Sequence, residues 1–293
     1  MPDEKARMEM VFDENALTEF CDDVGSLWVS SSVPRYDKPP SPLEFYRNHV
    51  AASKPCLIDN AFLDKTIDFT VDDLVKRNPD LELVVDVTPD GHGDCLRIMM
   101  VDGQEQECFV KPLECKMSIS EFRQGLKRKS DVAFEVSRPQ PESVRTRSFP
   151  RCDGGKVVGS NISPQNLPKD SVFYYSRQND CLREELHALW DLELIPPVVD
   201  WASRALGMEQ PDAVNLWMGN AAATSSLHKD YYENFFFVAS GMKVFTLYPP
   251  ADAHLLAAQN VPAGCFQCNS DNQEWSVSLD RKEDDDGIES VPW

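Results

Sequence analysis

His228-Lys229-Asp230 sets an imidazole and a carboxylate two residues apart. In an extended strand that spacing turns both side chains to one face, where together they can bind one cation. Two His and one carboxylate on one face of an octahedron hold Fe(II) while leaving positions open for a co-substrate and O₂. With five His in an Asp-rich chain, such a pair also arises by chance, and a second one is present, His92-Gly93-Asp94. There the flanking glycines are expected to break any strand, so that pair reads as turn chemistry. Surrounding residues therefore decide between a metal site and two solvated side chains.

Around His228 they favour chemistry. Lys243 follows on the far arm of an expected hairpin among Val244, Phe245 and Leu247. An ammonium flanked by apolar residues is costly to bury without an anionic partner, and the distal carboxylate of 2-oxoglutarate would be one. Ser225 and Asn234 offer hydrogen-bonding groups for the rest of such a molecule. Each residue alone is more often a solvated strand position; the joint pattern favours the site. Cys265-x-x-Cys268 is a weaker alternative for zinc or redox chemistry, because no second pair accompanies it.

The elements that must position these residues read as follows. A helix is expected around Glu14–Val24. Ser41, Pro42 and Glu44 open another with a capping box, and Ser118-x-x-Glu121 opens a third through Leu126. Cys56–Ile58, Leu81–Val87, Cys95–Val101 and Val172–Tyr175 read as strands, with Thr88-Pro89-Asp90-Gly91 as a turn. Leu182–Trp190 and Val198–Leu206 read as helices, the latter stopped by Gly207. From Ala213 to Pro250 the pattern predicts successive strands, with a hairpin at Ser240-Gly241 and a short helix over Ala251–Gln259. Arg281–Trp293 shows no strand of its own. Residues 127–170 break the texture, with nine Lys/Arg against five Asp/Glu, five prolines and no periodicity. That segment is a functional loop or a transcript or gene-prediction artefact, the latter favoured, because loops so long are uncommon in compact domains.

The net charge of −20 over 293 residues argues against nucleic-acid phosphates and anionic membrane faces, and suits a basic peptide partner. No apolar run is long enough to span a bilayer. Nine scattered cysteines and a charged N-terminus without a signal sequence imply reduced thiols in the cytosol or nucleus.

The segment TSSLHKDYYENFFFVASGMKVFTLYPP resembles the JmjC family, as do DKPPSPLEFYRNHV, VTPDG, VFYYSRQN and WASRALG…PDAVNLWMGNAA. The resemblance implies a mainly β fold with helical additions, a cupin-like double-stranded β-helix or jelly roll. Residues 1–126 would supply N-terminal helices and supporting strands, 127–170 the insert, and 171–293 the cupin core. It implies Fe(II) held by His228 and Asp230, and 2-oxoglutarate held by Tyr174, Ser225, Asn234 and Lys243. It also implies lysyl hydroxylation of a protein substrate, a developmentally regulated GTP-binding protein, with peptidase action claimed for relatives. Family members carry their third ligand, a His, on a late strand. Since His254 sits on an expected helix, the expectation is a core lacking its final strands, with two of three ligands. The alternative is a truncated, inactive form acting as a binding module.

Overall fold

The computed structural model describes residues 16, 18–23, 32–62, 67–129, 164–178, 180–190, 196, 198–250, 252, 256, 258–282 and 287–293. Most of the insert, residues 130–163, and His254 lie outside them, as does most of the helix expected over 251–259. The chain divides into two units: residues 1–65, 199–209 and 243–257 form one, and the rest the other.

In the first unit residues 18–23 are helical, as expected. Strand β1 (Arg35–Tyr36) pairs in parallel with β2 (Leu57–Ile58). Between them α1 (Pro42–Phe45) starts with the expected capping box, Ser41 and Glu44 each accepting from the other's backbone N–H. Its buried Phe45 packs edge-on against Trp201, 5.1 Å between ring centres, on the helix Asp200–Leu206. Gly207 ends that helix at φ 70°, the left-handed conformation glycine adopts without a side-chain clash.

The second unit holds the sheets. Helix α2 (Val71–Arg77) is capped by Thr70 and Asp73. A four-stranded sheet runs in the order β7 (Leu113–Ser118), β3 (Glu82–Thr88), β8 (Val172–Tyr175), β9 (Met218–Gly219). A five-stranded one runs β12 (Trp275–Leu279), β11 (Asn260–Cys268), β6 (Gln104–Lys111), β5 (Cys95–Val101), with β13 (Ser290–Pro292) also on β11. Alternate residues point inward, as the two-residue period of a strand requires: Leu83, Val85 and Val87 from β3, Met99 and Val101 from β5, Leu113, Cys115 and Met117 from β7. Phe266, Val277 and Leu279 join them in one core with Phe173 and Tyr175. Helix α3 (Ile119–Leu126), capped by Ser118 and Glu121 as expected, adds Ile119 and Phe122. The fold is thus mainly β with helical additions, its curled sheets forming a half-barrel of the jelly-roll kind. The chain passes between sheets at Pro112, where no N–H is available to continue a ladder.

Three expectations fail. Residues 226–250 form no ladder; only β9 and the two-residue β10 (Thr224–Ser225) occur within 213–250. Aromatic and β-branched content favours strands only where a partner strand supplies hydrogen bonds, and no strand among the described residues pairs with this segment; Phe235, Phe236, Phe237, Phe245 and Tyr248 stand exposed. Arg281–Trp293 does contain a strand, β13, too short to signal itself in the sequence, and Trp293 lies 4.4 Å from Phe109 between ring centres. Finally, His92–Gly93 is a strand after all, β4, paired in parallel with β10. Gly91, just before it, permits the pairing: a Cβ there would stand 1.8 Å from the Ala222 carbonyl oxygen.

Candidate metal centre

His228 and Asp230 follow directly on β10, and their side chains converge although no ladder holds them. Nδ1 of His228 lies 2.7 Å from the Ser226 carbonyl oxygen. A carbonyl only accepts, so the bond requires the proton on Nδ1 and, in the neutral imidazole, leaves the Nε2 lone pair open. Nε2 faces Oδ1 of Asp230 at 3.8 Å. The other oxygen, Oδ2, accepts from Nδ2 of Asn234 at 2.9 Å.

These features fit a divalent ion. The tautomer is the one a ligating His uses, with its other ring nitrogen on a carbonyl. Two donors at right angles, each ~2.1 Å from an octahedral ion, stand ~3.0 Å apart, so small side-chain rotations bring the pair from 3.8 Å into reach. Both side chains are nearly half exposed, 44% and 46%, which leaves faces open to solvent. Among the described residues no group of three His, Cys, Asp or Glu is arranged to hold a metal.

The other expected residues fall as follows. Ser225 is exposed on β10, paired with Gly93. Asn234 is engaged with Asp230, a role that sequence spacing did not suggest. Tyr174 is half-buried on β8 opposite Gly219; a Cβ at Gly219 would stand 2.7 Å from the tyrosine ring, so that glycine leaves the ring its place. Lys243 is half-buried and belongs to the first unit.

Register also reveals a polar row no spacing rule exposes: Glu114, Asp86 and Tyr174 are cross-strand neighbours on β7, β3 and β8. Burial pushes the Asp86 carboxyl up to about 6, with Asp94 and Glu114 adding to the rise and the Ser176 hydroxyl and Arg177 opposing it. Ser176 donates to Asp86, and Arg177 donates to Glu114 at 2.6 Å. The only sequence signal was an acid inside the apolar run Leu83–Val87.

The Cys265-x-x-Cys268 alternative fails on geometry and charge. Three residues apart on β11, the thiols leave opposite faces of the strand. The Cys265 thiol donates to the Pro112 carbonyl at 3.1 Å, and burial pushes it up to about 12, far from the thiolate that metal or redox chemistry needs.

The cupin-like domain family matches residues 42–291. The human protein named bifunctional peptidase and (3S)-lysyl hydroxylase JMJD7 is 32% identical over 99% of this chain and 74% of its own. The chain belongs to the cupin-like JmjC family. Within that oxygenase family it is also similar to JmjC domain-containing protein E of Dictyostelium discoideum, 27% identical over 96% of this chain and 70% of that one. The lysine-specific demethylase JMJ32 of Arabidopsis thaliana is 29% identical over 92% and 65%. JmjC cupins generally depend on Fe(II) and 2-oxoglutarate. No helix among the described residues is long and apolar enough to cross a membrane.

Proposed function

We propose that this chain is an Fe(II)- and 2-oxoglutarate-dependent protein hydroxylase whose target is a lysyl side chain. One arrangement carries the reading: His228, locked by the Ser226 carbonyl, aims Nε2 at an Asp230 that Asn234 steadies. Family membership supports the metal and co-substrate, and the name of the human relative supports lysine. Iron and 2-oxoglutarate, when bound, would activate O₂, one of whose oxygen atoms enters the C–H bond while the other goes into succinate as 2-oxoglutarate loses CO₂.

The protein's residues bind and orient. His228 and Asp230 hold the ion, and Asn234 keeps Oδ1 of Asp230 turned toward it. In this reading the Lys243 ammonium pairs with the distal carboxylate of 2-oxoglutarate, and the hydroxyls of Tyr174 and Ser225 donate to the same molecule. The net charge of −20 favours encounter with a basic protein segment; a developmentally regulated GTP-binding protein is the partner the family suggests, in the cytosol or nucleus.

Incubation with iron, ascorbate, 2-oxoglutarate and a Lys-rich peptide should give succinate and one added oxygen on lysine. Equal succinate from His228→Ala, or oxygen on a different side chain, contradicts the reading. A second reading, a binding module without turnover, is favoured by the unladdered, exposed segment 226–250. Binding of 2-oxoglutarate without any succinate would support it instead.

A further inference from the structure

The first His-x-Asp segment is bonded to the residues that lead into the second. Turn 88–94 is braced from within: the Gly91 N–H donates to Oγ1 of Thr88 at 2.9 Å, and the His92 N–H to Oδ1 of Asp90 at 3.1 Å. From β5 comes Arg97, only 2% exposed, whose Nη2 donates to Oδ1 of Asp90 at 2.9 Å and to the His92 carbonyl at 3.3 Å. A guanidinium so buried holds its partners firmly, because loss of either one leaves a charge stranded in a low-dielectric interior.

The braced turn then grips the strand that leads to the metal pair. Gly91, at φ +98°, lies so close to residue 222 that a Cβ there would sit 1.8 Å from the Ala222 carbonyl oxygen. The Thr224 N–H donates to the Gly91 carbonyl at 2.9 Å, and Thr224 and Ser225 pair with His92 and Gly93. The Ser226 hydroxyl donates to the Asp94 carbonyl, with Asp94 itself at φ +49°. Ser226 is the residue whose own carbonyl fixes the His228 ring. Hydrogen bonds and the short stretches of backbone between them thus link buried Arg97, through Asp90, Gly91 and Thr224, to Ser226 and the imidazole.

We propose that residues 88–94 are a clasp that sets the metal affinity of His228 and Asp230, with Gly91, Ser226 and the Arg97–Asp90 pair as positioning residues. The proposal rests on the metal reading above. The clasp does the work that a sheet ladder would otherwise do for residues 226–230, and His92 serves it through backbone bonds, with no ligand role.

The test is Mn(II) titration of the whole chain, followed by electron paramagnetic resonance, with hydrogen exchange of the amides of 222–228 read on the metal-free protein. Ser226→Ala and Gly91→Ala should each weaken Mn(II) binding 10- to 100-fold, the usual loss for an outer-shell partner, and speed exchange at Thr224. Ser226→Thr should restore both. If Gly91→Ala does not fold, Ser226→Ala decides alone. Parent-like Mn(II) affinity in Ser226→Ala, with His228→Ala abolishing it, overturns the clasp. If His228→Ala itself binds like the parent, the metal reading fails instead. The clasp then stands or falls on exchange, and unchanged protection of 222–228 in Ser226→Ala overturns it.

Discussion

Two segments share the pattern His-x-Asp, and the fold uses them in opposite ways. In His92-Gly93-Asp94 the imidazole sits beside Asp90, 3.6 Å from Nδ1 to Oδ1, and the backbone of all three residues is committed to holding a neighbour. In His228-Lys229-Asp230 the backbone makes no ladder, and the side chains are oriented by a carbonyl and an amide. What separates the proposed metal pair from the other pair is therefore the second bond each side chain makes, and the spacing alone does not reveal it.

The contrast is broken most directly by removing each imidazole. His228→Ala should abolish Mn(II) or Fe(II) binding, while His92→Ala, correctly folded by circular dichroism, should keep it within a few-fold, since backbone groups carry the work of that residue. Equal losses in both variants would mean that the two segments form one joint site.

A second effect concerns the carboxylate beside the first segment. Asp86 is raised from 3.8 to about 6 in the folded protein, burial leading and Asp94 contributing. The folded state therefore holds this proton more tightly than the unfolded chain does. Stability should fall as pH rises from about 4 to about 6, by up to roughly 3 kcal/mol, and stay lower above that range. Asp86→Asn should flatten this slope and raise stability at pH 7, whereas Asp94→Asn should only shallow it. Urea unfolding across that range is the measurement, and an unchanged slope in Asp86→Asn refutes the assignment.

Co-substrate binding sharpens the contrast from the other side. A hydrogen bond to a charged group contributes roughly 1.5–3 kcal/mol, so Lys243→Ala should raise the 2-oxoglutarate requirement about 10- to 150-fold. An unchanged requirement in a turnover assay removes Lys243 from the site. The smallest change expected is in Asn234→Ala, which frees one oxygen of Asp230. Metal affinity should drop toward the lower end of the 10–100-fold range for outer-shell partners, and Asn234→Asp should not rescue it, since a second carboxylate donates nothing.

Much of the scaffold was legible because its signals are local. Ser41 with Glu44 and Ser118 with Glu121 mark helix starts within four residues, and short apolar runs bounded by turn residues mark Leu83–Val87 and Cys95–Val101. Strands β6 and β11 escaped for the opposite reason: QEQECFVK is too polar, and NVPAGCFQC carries Pro and Gly in its interior. Over 226–250 the residue types were right for strands, but pairing is a property of two segments and one segment cannot announce it. At the candidate site, the nearness of His228 to Asp230 was legible from spacing. The engagement of Asn234 with Asp230, the row of Glu114, Asp86 and Tyr174, and the grip of Gly91 all depend on register and close approach, which a linear sequence does not display.

The bond between Ser226 and Asp94 spans 132 residues of chain. During synthesis, at ~5–20 residues per second, the turn at 88–94 emerges many seconds before the strand it will grip. Thr88 and Asp90 can brace that turn early, since their bonds reach only two or three residues along the chain. Closing so large a loop is slow and entropically costly. The proposed metal pair is thus assembled long after the turn that holds it, on a foundation laid early.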